Sequence, residues 1–228
     1  MVQTAPALKQ NRDWVGAGAG FLFVVLTVVG LGVGGSHPDP NGPIETIRSR
    51  FLTDPGPSAI QAGSYIQAVA VLPFVVFAAS IARWFWRGGK QLVAAVAFGA
   101  ALVLEGLVLV ENALLSVLAF SVAKDGDAGA IRALFALRNP ILLDYLYFPF
   151  ALFAFALAVG TLTAGVFPRW YGWLTAVVGL VFLSAPSELF TNGFWEWQGG
   201  LPGFLVIIME ALWALLTSGL LLRRMRAA

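Results

Sequence analysis

Polar and charged residues interrupt this chain at intervals that leave six apolar runs, Trp14–Gly35, Ala62–Trp86, Gln91–Val122, Pro140–Ala164, Tyr171–Leu189 and Leu201–Leu222. Each is close to or above the ~20 residues needed to cross a hydrocarbon core. Lipid offers no partner to backbone N–H and C=O groups, so these runs must be helices rather than open strands. The pattern predicts an all-α fold, a polytopic membrane bundle in which residues 1–228 form one integral membrane domain of six transmembrane helices. Composition agrees: 59% of residues are hydrophobic, 11% are charged and the mean hydropathy is +0.82. A soluble domain carries roughly 25% charged residues.

Between the runs, two segments carry a helical period of their own. In NGPIETIRSRF, Asn41 can cap, Pro43 suits a first turn, and Ile44, Ile47 and Phe51 share a face. In DGDAGAIRALFALRNP, Asp127 can cap a helix with an apolar side of Ile131, Leu134 and Phe135, which Pro140 ends. Both read as short amphipathic helices lying on the outer leaflet, as connectors or as a lid over a cavity.

Basic residues set the orientation. Lys9 and Arg12, then Arg83, Arg87 and Lys90, then Arg169, then Arg223, Arg224 and Arg226 flank alternate ends of the runs. The positive-inside rule makes those ends cytoplasmic, with both termini inside. The opposite loops carry Arg48, Arg50, Lys124, Arg132 and Arg138, interleaved with Asp39, Glu45, Asp54, Asp125 and Asp127. Clusters such as Trp84/Phe85/Trp86, Trp170/Tyr171/Trp173 and Trp195/Trp197 suit interfacial belts. The first run exceeds the 7–15 residues of a signal-peptide core and no A-x-A site closes it, so it is read as a retained span. Arginine outnumbers lysine by eleven to three, a usage that suggests a GC-rich bacterial genome. The expected location is a bacterial inner (plasma) membrane.

Acids then appear where a span tolerates them least: Glu105, Glu111, Asp144, Glu188 and Glu210. An acid in lipid costs roughly 2.5–3.5 kcal/mol on insertion scales, so it is expected to face a cavity or a partner. Glu105 lies roughly 20 Å from the inner start of its span, and Glu111 roughly 9 Å further out. Asp144 and Glu188 fall near outer ends, and Glu210 roughly 14 Å in from the outer surface. All five therefore lie between the midplane and the outer face, as the lining of an outward-opening cavity would. By helical phase, Glu105, Asn112 and Ser116 form one stripe with Glu111 about 120° away. Asp144 shares a face with Tyr147, and Glu210 with Trp213 and Thr217. Each acid could instead glue helices together as a structural hydrogen bonder.

If the acids act chemically, the candidate catalytic residues are Glu105, Asp144, Glu111 and Glu210, with Glu105 and Asp144 as the acid and base pair. A carboxyl held away from water can stay protonated and act as general acid toward an alkene or epoxide. The resulting cation would lie against ring faces. Substrate would meet Asn112, Tyr145, Tyr147, Glu188, Trp195 and Trp213, in a cavity that excludes water. This is acid–base catalysis of cyclase or isomerase type on an apolar, isoprenoid or lipid-like molecule. The alternatives are a proton-coupled transporter, a lipid- or small-molecule-binding membrane protein, or an accessory subunit whose acids pair with a partner's arginines. Expected partners are membrane lipid, an apolar or amphipathic small molecule and a second copy of the chain as a homo-oligomer.

Other chemistries are excluded or unsupported. Cysteine is absent, which removes disulfides, thiolate nucleophiles and Cys-based metal sites. His37 is the sole histidine, so a bis-His haem has no ligands; no metal or other cofactor is expected. A net charge of +2, explained by topology, carries no basic stripe for nucleic acid. The RRMR tail suits anionic inner-leaflet lipid. Gly16, Gly20, Gly30 and Gly34 have the spacing of close helix packing, and GAGAG follows no strand as a nucleotide fingerprint would. Pro73 and Pro149 are expected to kink their spans.

The strings WVGAGAGFLFVVLTVVG, PDPNGPIETIRSRF, FPRWYGWLTAVVGLVFL and LLRRMR resemble an uncharacterised family of actinobacterial six-span membrane proteins, a domain of unknown function. The resemblance covers most of the chain and implies fold and location without an activity. Glu105 and Glu111 stand where members of that family look almost purely apolar, which suggests a specialised member. In size, aromatic richness and intramembrane acids the chain is more distantly similar to small integral-membrane terpene and meroterpenoid cyclases, usually described with seven spans.

Overall fold

The computed structural model describes residues 13–35, 38–39, 41–187 and 201–226. Among them there is no strand, and six helices are long and apolar enough to cross a membrane. These are α1 (Asp13–Gly34), α3 (Pro57–Arg87), α4 (Gln91–Val117), α6 (Leu143–Ala164), α7 (Arg169–Ser184) and α8 (Leu201–Arg226), with the shorter α2 (Ile44–Leu52) and α5 (Ala128–Ala136) on the connections. A π turn, Leu118–Val122, prolongs α4 toward Asp125, and a second, Leu137–Leu142, joins α5 to α6. The second span starts at Pro57 rather than Ala62. Gly56, at φ +84°, and Pro57 in the first turn set that start, and helix geometry continues beyond the purely apolar stretch.

Helix α1 packs along α3 and α8, α3 along α4, α4 along α6 and α6 along α7, while α7 touches α8. The six spanning helices thus close on one another in the order α1, α3, α4, α6, α7, α8. Trp14, Leu72, Leu92 and Trp173, all exposed, face outward where lipid would cover them. Toward the end that the basic residues mark as inner, Phe77, Phe85, Phe153, Tyr171 and Trp213 fill the middle. Tyr171 Oη shares a 2.5 Å hydrogen bond with Thr217 Oγ1, and Trp213 Nε1 donates to Thr175 Oγ1 at 3.2 Å, so α7 and α8 are joined by polar contacts as well as packing.

The glycine spacing in α1 does bring helices close. A Cβ at Gly63 of α3 would stand 2.6 Å from Gly34 N and 2.7 Å from Gly30 O, where backbone cannot yield. Gly63→Ala is therefore expected to cost roughly 1–3 kcal/mol, as overpacking does, whereas Gly32→Ala, with open space around its Cβ, is not. Thermal unfolding in detergent measures both. An unchanged melting temperature for Gly63→Ala would show that α1 and α3 do not approach this closely.

The two connecting helices depart from expectation. Their apolar faces do not lie on lipid. Ile47 and Phe51 of α2 and Ile131 and Phe135 of α5 are wholly buried against each other and against Ile60, Leu115 and Leu118. Phe51 and Phe135 meet edge to face at 5.9 Å. A face of three apolar residues can be covered by protein as well as by lipid, and the returning ends of α3 and α4 provide that cover. Asp127 caps α5 as expected, accepting from Ala130 N at 2.7 Å. Pro140 does not stop the chain, because the π turn carries the helix through it. Asn41 does not cap α2; Pro43 occupies the cap position and Asn41 N donates to Asp39 Oδ1 at 2.8 Å.

Candidate functional site

Closing the ring leaves a space in the half away from the ends that the basic residues mark as inner. Five helices and the π turn before α6 surround a cavity of ≈ 130 Å³, roomy enough for ordered water or part of a small molecule. Phe23, Leu104, Leu146, Phe150 and Ile207 give it apolar walls. Into it come Glu105 and Glu111 from α4, Tyr147 from α6, Glu210 from α8 and Arg138 from the π turn.

Each side chain arrives for a local reason. On α8, Ile207 and Glu210 are three residues apart and share a face; on α6, Leu146, Tyr147 and Phe150 do the same. Glu105 and Glu210 come from helices far apart in sequence and lie close enough for their charges to interact. Tyr147 stacks on Phe182, centroids 5.8 Å apart, and lies within the fields of Glu210 and Asp144.

Where the π turn meets the cavity, Arg138 Nη2 donates to Glu111 Oε1, and both residues are 3% exposed. Asn112 Nδ2 donates to the other oxygen of Glu111 at 3.2 Å and to Val108 O at 2.9 Å. Among the described residues, Arg138 Nε and Nη1 have no hydrogen-bond partner. Beside this pair, Arg50 Nη2 donates to Gly34 O and, at 3.1 Å, to Gly35 O, satisfying carbonyls at the end of α1. Burial, and then the nearby Arg138 guanidinium, lower the Arg50 pKa to about 10, while Asp54 acts the other way. Arg50 therefore remains charged at neutral pH.

The sequence-derived site residues divide as follows. Glu105, Glu111, Glu210 and Tyr147 line the one cavity. Asp144 is buried near Tyr147 without lining it. Tyr145, half exposed, turns away with Phe148, because two residues along a helix is about 200° of rotation from Tyr147. Trp213 packs between Phe150 and Phe153, 5.7 Å from each, with its N–H given to Thr175. It belongs to the packing beneath the cavity. Glu188 and Trp195 lie outside the described residues.

The stripe of Glu105, Asn112 and Ser116 also divides: Asn112 and Ser116 line a groove against α3. Azimuth alone does not settle what a side chain meets. The sector that faces the cavity at Glu105 faces the α3 seam two turns further out. Arg138 was legible as a basic residue of an outer loop, yet an intramembrane acid needs a partner. Asking which base could reach Glu111 would have pointed to the arginine preceding the fourth apolar run. Among the described residues no group of acids or imidazoles gathers as a metal-ligand set. Comparison with known proteins matches no family model, no curated protein and no solved structure.

Proposed function

We propose that this membrane protein takes the reacting end of an apolar or amphipathic small molecule into the cavity in its outer half and acts on it by carboxyl acid–base chemistry. The observation that carries the reading is the convergence of Glu105, Glu210 and Tyr147 on one apolar-walled cavity. Facing acids suit proton exchange: Glu105 donates to the guest while Glu210 accepts from it, or the reverse. Tyr147 and Phe150 offer ring faces to positive charge developing on carbon. The apolar walls keep water from quenching it. Glu111, bound to Arg138 and Asn112, is a positioning residue at the mouth. A cyclisation or double-bond isomerisation of an isoprenoid-like molecule fits these groups, the chemistry that the distant similarity to integral-membrane terpene cyclases also implies.

The packed aromatic side chains toward the inner end support a closed-ended chamber over a through-going path for proton-coupled transport. The reading is tested on protein purified with its surrounding lipid and extracted with organic solvent. One low-mass species is expected to be enriched over bulk lipid in the wild-type protein and lost from Leu104→Trp, which fills the cavity. Extracts indistinguishable from bulk lipid in both would overturn it.

A further inference from the structure

A second hollow indicates how the cavity is reached. On the lipid side of the α3–α4 seam, also in the outer half, lies a groove of ≈ 660 Å³. Its rim includes Tyr65 and Phe120, 72% and 78% exposed, which places its mouth at the hydrocarbon. Lipid chains offer no hydrogen bonds, yet Gln61, Ser64, Asn112 and Ser116 line it. Ser64 and Asn112 are each 3% exposed, and among the described residues Ser64 Oγ and Asn112 Oδ1 have no partner. A buried polar atom without a partner is costly in water and more so in lipid, so these two oxygens mark a place for a ligand.

Groove and cavity share a wall. On α3, Gln67 lines the cavity and the next residue, Ala68, lines the groove. On α4, Glu111 lines the cavity and Asn112 the groove, and the two side chains are bonded at 3.2 Å. The wall between them is therefore the α3–α4 contact itself, with neighbouring residues of each helix turned to its two sides. Just beyond it α4 leaves α geometry for the π turn that carries Phe120 and Ser121 to the groove, an irregularity frequent at functional sites.

We propose that this groove is the lateral doorway through which the cavity's guest arrives from the outer leaflet, and that the guest bears a neutral hydroxyl on an apolar body. A hydroxyl both donates and accepts, so it can donate to Asn112 Oδ1 or exchange a hydrogen bond with Ser64 Oγ. Asn112 Oδ1 can only accept, which disfavours an anionic head without a proton to give, and Arg138 already neutralises Glu111 behind it, which leaves no call for a cationic one. Tyr65 and Phe120 flank the apolar body. The doorway rests on the proposed chamber, since a doorway needs a room.

The test uses the full chain in phosphatidylcholine vesicles with a diazirine-bearing farnesol, photolysed and mapped by peptide mass spectrometry. Adducts are expected both at the groove, around Tyr65 and Phe120, and in the cavity, around Leu104, Tyr147 and Ile207. Ala113→Trp, on the groove lining, should reduce both to background, while Val28→Trp on the exposed face of α1 leaves them unchanged. Melting temperature reports that the variants are folded, and Ala68→Phe fills the groove from α3 should Ala113→Trp fail to fold. Cavity adducts persisting when the groove is plugged would overturn the doorway. Groove adducts without cavity adducts in the wild-type protein would overturn the chamber instead. A hydroxyl-free analogue should label the groove about tenfold more weakly, the scale of one or two lost hydrogen bonds; equal labelling would overturn the hydroxyl assignment.

Discussion

Arg138→Met is expected to destabilise the bundle by about 3–5 kcal/mol, the cost of breaking a buried ion pair by removing one partner. Glu111 would be left 3% exposed, with Asn112 Nδ2 as its remaining donor among the described residues. Glu111→Leu should be destabilising in the same way, because it strands Arg138. The double variant Glu111→Leu/Arg138→Met should recover most of the loss, since an apolar pair of similar volume replaces a buried ion pair with little penalty or with gain. Denaturation of the four proteins in one detergent measures this as a double-mutant cycle. Additive losses would mean that the two side chains do not form a pair. Because Arg138 sits on the π turn between α5 and α6, the single variants should also loosen the cap made by α2 and α5, read as faster proteolysis of the Gly126–Gly129 connection.

Glu105→Gln and Glu210→Gln are each expected to lower conversion of the bound molecule by roughly 10²–10⁴-fold, the usual contribution of a positioned proton donor or acceptor. Amides keep the shape and polarity of the acids, so binding of the molecule should change little. Asp144→Asn, whose side chain does not line the cavity, should leave the rate nearly unchanged. Single-turnover conversion and equilibrium binding, measured side by side on the species extracted from the wild-type protein, separate these effects. A Glu105→Gln protein with full activity would sink the acid–base mechanism. An inactive Asp144→Asn protein that still binds would return the role to the pair Glu105 and Asp144 that helical phase and depth suggest in the sequence.

The six spans were legible in the sequence because crossing a membrane is a local requirement: each segment must supply its own length and apolarity and satisfy its own backbone. The helical period of α2 and α5, the Asp127 cap and the close glycine spacing of α1 were legible for the same reason, since each is a property of a few neighbouring residues. That acids in the outer half would face protein also followed from the sequence, from the cost of leaving them in lipid.

Which acid meets which is a different question, because it depends on the order in which helices surround the centre. Glu210 stands near Glu105 because α8 packs on α1 and closes the ring. No spacing within α4 or α8 encodes that order. Asp144 and Tyr147 share a helical face, yet their different depths along α6 leave Tyr147 on the cavity and Asp144 beside it. Arg138 reaches Glu111 across 27 residues of sequence through a π turn that the periodicity of the fourth run conceals. The apolar faces of α2 and α5 were determined by sequence, but their covering was decided by tertiary structure, since Phe135 covers the Phe51 ring that lipid would otherwise cover. Local chemistry thus specified the helices and the polarity they had to hide, and the packing order specified where that polarity came together.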